Sequence, residues 1–150
     1  MPYVIYPEDQ WHNTIDLFHD KFGVHDWINN KLTDKDYDTL KKFMDFRLNF
    51  LKEELNETEK AITEGDAKEI VDGLIDLCVI AIGTLDAFGC DAHGAWSTVM
   101  EANMEKEVGV KPSRPNPLGL PDLIKPEGWN GPDHTHTTGI LEEVYRKEST

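Results

Sequence analysis

The residue types in this chain best suited to chemistry are carboxylates. Glu53, Glu54 and Glu57 fall in one acidic stretch. Glu69, Asp72 and Asp76 fall in a second, Glu69–Gly83, that is otherwise among the most apolar of the sequence. Burying an unpaired carboxylate is costly, so acids in such a setting are normally paired, protonated or bound to a metal. Residues three and four apart share a helix face, and both acidic sets are spaced that way: Glu54 and Glu57, Glu53 and Glu57, Glu69 and Asp72, Asp72 and Asp76. Several acids pointing into one groove repel and titrate upward unless a divalent cation joins them. Ligands that are all oxygen favour Mg²⁺ or Mn²⁺ over zinc. The plainer reading makes Glu53, Glu54 and Glu57 a solvated helix face and Glu69 the capping-box partner of Asp66. It fits Asp72 and Asp76 less well, because Ile70, Val71, Leu74, Ile75 and Leu77 leave them little polar face.

The elements that position these acids read as helices. A first helix is expected from about Asp9 to Phe22, with Trp11, Ile15, Leu17, Phe18 and Phe22 on a buried side and Gly23 ending it. A loop with Asn29-Asn30 follows. Thr33 or Asp34 caps a second helix, in which Tyr37, Leu40, Phe43, Met44, Leu48, Leu51 and Leu55 recur at helical spacing up to Glu64-Gly65. Asp66-x-x-Glu69 has the form of a capping box and opens a third helix that runs to about Phe88-Gly89. Asp91 caps a fourth, to about Lys106. The short turn at Gly65 makes the second and third helices antiparallel neighbours. Glu57 and Asp72 stand eight and seven positions from that turn, and Glu54 and Asp76 eleven each, so the pairs sit at matched heights.

The expected architecture is therefore all-α: an antiparallel bundle of about four helices over residues 1–108. Residues 109–150 form a Pro/Gly-rich irregular tail that packs on the same domain or on a neighbouring subunit. Within the tail, Trp129 packs a turn or stacks on a base, His134-x-His136 is incidental, and a short helix lies near Ile140–Lys147. Beta signals are few. Cys78 and Cys90 lack metal-ligand spacing, and Cys78 reads as a packing residue. With 29 Asp+Glu against 15 Lys+Arg, a formal net charge of −14 argues against non-specific binding to nucleic acid or anionic membrane. It does not exclude a phosphate-bearing substrate, because bound divalent cations invert the local field. No signal-peptide pattern or membrane-length apolar run is present, which predicts a soluble, cytoplasmic protein. Without a Gly-rich phosphate loop, Walker-type nucleotide chemistry is not indicated.

Glu54-x-x-Glu57 followed by Glu69-x-x-Asp72 resembles the ExxE…ExxD signature of the all-α nucleoside triphosphate pyrophosphohydrolases. These include the MazG-like enzymes, the dimeric dUTPases and phosphoribosyl-ATP pyrophosphohydrolase. The likeness extends to Arg47-x-x-Phe-Leu-x-Glu53-Glu54, to Asp72-Gly-Leu-Ile-Asp76 and to Asn103-Met-x-Lys106, over roughly residues 8–108. The eleven-residue gap between the two acidic pieces is at the short end for the family, and the long Pro-rich tail exceeds its minimal core.

The resemblance implies Mg²⁺-dependent cleavage, with Mn²⁺ as a substitute, of a nucleoside triphosphate to monophosphate and pyrophosphate, possible substrates including dGTP or GTP. It implies a homodimer or homotetramer. By position, Glu54, Glu57, Glu69 and Asp72 bind metal, and Glu53 holds a metal or orients the attacking water. Asp76 supports them, and Asn103 and Lys106 contact substrate. Arg47 reaches phosphate, supports a metal carboxylate or makes a structural ion pair. Lys106 is alternatively a favourable charge at a helix C-terminus, and Asn103 an interhelical hydrogen bonder. Two further functions remain open: phosphoribosyl-ATP pyrophosphohydrolase, and a non-catalytic helical interaction protein whose acids form a solvated face.

Overall fold

A computed structural model of the chain describes residues 10–111, 118 and 122–146. These form α1 (Gln10–Lys21), α2 (Val24–Thr33), α3 (Tyr37–Glu64), α4 (Ala67–Ala87), α5 (Ala92–Met104), β1 (Glu107–Gly109), β2 (Asp122–Ile124) and α6 (Leu141–Val144). The fold is helical, as expected, with one small antiparallel ladder pairing Val108 with Leu123. The expected start of the first helix at Asp9, and the tail positions Pro112, Pro115, Pro117, Gly119, Leu120 and Pro121, lie outside the described residues.

The chain divides into two compact units, residues 1–92 with 138–150, and residues 93–137. In the first, α3 and α4 make the most extensive helix contact. Gly65 adopts a left-handed conformation (φ 68°), the Asp66 amide closes back on the Ala61 carbonyl at 2.9 Å, and the Asp66 side chain accepts from the Glu69 amide at 3.2 Å. This glycine-ended helix followed at once by a capped one turns the chain in two residues. The contacts above the turn are symmetric about it. A Cβ on Gly73 would overlap Thr58 Oγ1, and one on Gly83 would stand 2.6 Å from Arg47 Nη2. Residues at equal or nearly equal distance from Gly65 therefore meet, so the two helices are antiparallel at close range.

The core of this unit lies at the other end of the hairpin. Ile28, Leu40, Ala87, Phe88, Cys90 and Val144 are buried together, with Phe43, Met44 and Leu85 packed against them. The chain after Thr138 joins that core: the Ile140 amide donates to the Phe88 carbonyl at 3.0 Å, and the Tyr37 hydroxyl donates to Glu143 at 2.9 Å.

Several expectations need correction. Asn29-Asn30 lies inside α2 rather than in a loop. Two asparagines cost a helix only a few tenths of a kcal/mol each, and burial of Ile28, with Val24 and Leu32 against the core, outweighs that. As a result α3 begins at Tyr37 with Asp36 as its cap, not at Thr33 or Asp34. On α1, Ile15 is buried, but Trp11, Leu17, Phe18 and Phe22 are exposed. Its inward edge is instead Ile15 and His19, because the His19 imidazole donates to the buried Asp86 carboxylate of α4 at 2.8 Å. Cys78 is exposed rather than a packing residue, while Cys90 is buried and burial pushes its thiol pKa up. In the second unit the tail contains strand pairing that the sequence did not announce. Its three-residue strands are too short to show an alternating pattern.

Candidate active site

Five of the six candidate acids, Glu53, Glu54 and Glu57 on α3 and Asp72 and Asp76 on α4, lie close enough for their charges to act on Glu54 or Asp76. Gly73 follows Asp72, and Thr58 follows Glu57, so a close approach of the two helices lies beside the carboxylates. Thr58 is buried with its hydroxyl donating to the Glu54 carbonyl at 2.7 Å. The absence of a side chain at Gly73 is what lets the α4 backbone come within reach of α3.

The electrostatics show which acids share the groove. The Glu54 pKa is raised above the usual carboxylate range, first by desolvation and then by the charges of Glu57, Asp76, Asp72 and Glu53. Asp76 is raised by desolvation, by the charge of Asp72 and a hydrogen bond shared with it, and by Glu57. Among the described residues none of these five acids pairs with a lysine, arginine or histidine. Carboxylates that repel one another in a groove with no basic partner are a donor set of oxygen alone, suited to a hard divalent cation.

Each sequence candidate has a definite place. Glu53 and Glu57 on α3 and Asp72 on α4 are exposed, and Glu54 and Asp76 are half-buried. Asp76, assigned a supporting place from sequence, stands among the mutually repelling acids. Glu69 is exposed in the first turn of α4, its amide bound by the Asp66 cap, and is not among the charges acting on Glu54 or Asp76. Arg47 is half-buried; its Nε donates to Thr84 Oγ1 at 3.0 Å and its Nη2 to the Ile80 carbonyl at 2.8 Å. No carboxylate pairs with it among the described residues, so the anticipated structural ion pair is replaced by hydrogen bonds to α4.

In the second unit, Asn103 lies on α5, and its carbonyl accepts from the Lys106 amide at 3.1 Å. Lys106 lies beyond the end of α5 rather than in its last turn. Its ammonium sits 5.4 Å from the Trp129 ring centre, and that of Lys125 at 4.9 Å. Trp129 Nε1 donates to the Ala102 carbonyl at 2.7 Å, which fits the packing expectation for this residue.

A constellation that sequence reasoning missed surrounds Asp86. Among the described residues, His19, His25 and Asp86 form the one group of three or more whose ligand atoms all lie within 4.8 Å of one another; no three of the α3–α4 carboxylates do so. The available signals were Asp86 inside an apolar run and His12 and His19 seven residues apart on one helix. Neither points to the other without the fold.

A family model described as phosphoribosyl-ATP pyrophosphohydrolase matches residues 23–103, more than half of the chain. The chain belongs to this family. The family lies within the MazG-like all-α NTP pyrophosphohydrolase superfamily, which agrees with the helical fold and with the resemblance carried by the acidic motifs. The matched span includes Arg47, all six candidate carboxylates and Asn103, and leaves out Lys106 and the tail. No curated protein matches the chain. Membership makes the protein a pyrophosphohydrolase acting on a nucleotide phosphoanhydride. Among the described residues no helix is long and apolar enough to cross a membrane.

Proposed function

We propose that the protein hydrolyses a nucleoside triphosphate, (d)NTP + H₂O to (d)NMP + pyrophosphate, with Mg²⁺ held between α3 and α4 and Mn²⁺ able to replace it. The observation that carries this reading is the set of mutually repelling carboxylates, unpaired with any base among the described residues, inside the family-matched span. Glu54, Glu57 and Asp72 are proposed as ligands, with Glu69 completing the set from the first turn of α4. Asp76 is the supporting acid hydrogen-bonded to Asp72. When bound, the cation neutralises phosphate charge and lowers the pKa of the attacking water. Glu53, adjacent to the ligand Glu54, orients that water and accepts its proton. Arg47 holds the Ile80 carbonyl and the Thr84 hydroxyl of α4, so its contribution to phosphate binding is through placement of that helix as much as through charge. Asn103 and Lys106 are assigned to substrate on the likeness of Asn103-Met-x-Lys106 to the family segment alone; a lysine offers phosphate a compact point charge. We place the protein in the cytoplasm.

We also infer a homodimer or homotetramer. Leu48, Leu55 and Ile62, spaced by seven along α3, and Val71, Leu74, Ile75 and Val79 on α4 are exposed in the single chain. An apolar face of this extent is what a second copy of the chain would cover.

Phosphoribosyl-ATP is the second substrate to test, because the matching family model carries that name. Incubation of the protein and Mg²⁺ with each NTP and dNTP, and with phosphoribosyl-ATP, followed by assay of monophosphate product and pyrophosphate, separates the two. The expected result is pyrophosphate release from at least one nucleoside triphosphate and loss of turnover with EDTA. Glu57→Gln should lower turnover by at least about 100-fold, the scale of losing one electrostatic stabiliser, with the helical circular dichroism intact. Release from phosphoribosyl-ATP alone would assign the named family activity instead. Absence of turnover with every substrate would leave the helical interaction protein as the surviving reading.

A further inference from the structure

Three helices meet at Asp86, a carboxylate buried near the end of α4. His19 Nδ1 of α1 lies 2.8 Å from its Oδ2, and His25 Nε2 of α2 lies 2.7 Å from the same oxygen. His12 Nε2, one face-repeat earlier on α1, is 3.5 Å from Oδ1. Three imidazoles from two helices thus address one carboxylate. The second nitrogen of His25 is itself held by Asp20, and Asp16 stands 3.4 Å from Nε2. Carboxylates thus stand at both nitrogens of His25, three of them around one imidazole. Arg47 faces the far edge of His19, since a Cβ on Gly83 would stand 2.6 Å from Arg47 Nη2 and 3.4 Å from His19 Nε2. Its guanidinium is already committed to Thr84 and to the Ile80 carbonyl.

We propose that His19, His25 and Asp86 form a zinc-class transition-metal site that pins α1 and α2 to α4. It is distinct from the α3–α4 carboxylates, and it stands or falls independently of the proposed hydrolase reading. The ligand chemistry makes the distinction. Imidazole nitrogen with one carboxylate oxygen suits Zn²⁺, Co²⁺ or Ni²⁺, whereas the oxygen-only groove suits Mg²⁺. Three ligands of the types found in tetrahedral zinc sites converge, which leaves the fourth position to water. Asp20 on the outer nitrogen of His25 repeats the carboxylate–histidine–metal arrangement that fixes ring orientation in such sites. Each imidazole binds the cation through the nitrogen that faces Asp86, and a neutral ring then carries its one proton on the other nitrogen. Tetrahedral ligands at about 2.0–2.1 Å stand ~3.3 Å apart, so the nitrogen–oxygen spacings of 2.7 and 2.8 Å open by a fraction of an ångström on binding.

The test uses the full chain after chelation. Titration with Co²⁺ should develop the intense visible absorption of a low-symmetry four-coordinate site, at one ion per chain, and Zn²⁺ should bleach it. Mg²⁺ in excess should not. His25→Ala should abolish the band. Asp20→Asn, a substitution at an exposed side chain, should weaken Zn²⁺ affinity about 10- to 100-fold and keeps the test informative if His25→Ala folds poorly. Glu57→Gln, in the other groove, should leave Zn²⁺ affinity unchanged. Zn²⁺ bound no more tightly than Mg²⁺, or equally well by wild type, His25→Ala and Asp20→Asn, overturns the proposal. So does a melting temperature that follows pH but not Zn²⁺, which would make the cluster a proton-held ion pair.

Discussion

At the scale of single residues, the acids between α3 and α4 are defined by what they lack. Glu54 and Asp76 have raised pKa values because desolvation and neighbouring carboxylates disfavour their charges, and no base among the described residues pairs with them. Folding therefore favours their protonated forms. In the metal-free protein that contribution is complete below the ordinary carboxylate range and is lost as pH rises through the raised values. Glu54→Gln should accordingly raise the metal-free stability at neutral pH, by less than about 1 kcal/mol because the groups are largely solvent-screened. It should also reduce the stabilisation that Mg²⁺ confers, which for wild type is ~2.7 kcal/mol at one hundred times Kd. Differential scanning calorimetry with and without Mg²⁺ reads both effects. A stabilised variant with an undiminished response to Mg²⁺ would remove Glu54 from the ligand set. Most of these residues were readable from sequence, since three- and four-residue spacing on a helix fixes a shared face. The differing electrostatic settings of Asp76 and Glu69 were not, because they depend on the rotation of α4 against α3.

At the scale of elements, the α3–α4 hairpin is what turns spacing into a site. Gly73 permits the close approach beside Thr58, and Gly73→Ala would drive a methyl group into the Thr58 hydroxyl. Such overpacking costs about 1–3 kcal/mol. Because Glu57 and Asp72 are the neighbouring residues, turnover should fall further than the loss of stability explains; unchanged kcat in a folded variant would show that the helix spacing is not what sets the metal site. The N-terminus of α3 offers a pH test. Asp36 accepts from the Thr39 amide at 3.2 Å, and bonds to Thr39 hold its pKa below the usual range. Its stabilisation is thus complete above the ordinary Asp pKa and is lost as pH falls through the depressed value. Asp36→Asn keeps a capping oxygen without the titration. The difference in melting temperature between wild type and this variant should change across the acid range and be flat at neutral pH. The turn at Gly65-Asp66 was visible in the sequence because its two residues use local chemistry. The helix at Val24–Thr33 was not, because its stability comes from packing Ile28 into a core assembled from α3, α4 and α6.

At the scale of the whole molecule, the exposed apolar rows of α3 and α4 are the feature a single chain leaves unresolved. Leu55→Glu combined with Ile62→Glu should shift the protein to a smaller species in sedimentation or light scattering. An unchanged mass would assign the subunit contact to another face. By itself, the sequence determined the helical class, the α3–α4 turn, the acidic motifs and the family they belong to. All of these follow from interactions between residues near in sequence or from spacings that a helix converts directly into a face. Only the tertiary structure decided that α1 turns His19 inward while its large apolar residues face out, that Arg47 spends its donors on α4, and that Asp86 gathers imidazoles from two other helices. Those outcomes depend on hydrogen bonds between residues more than thirty positions apart, and the spacing along one helix carries no information about which partner a buried polar group will meet.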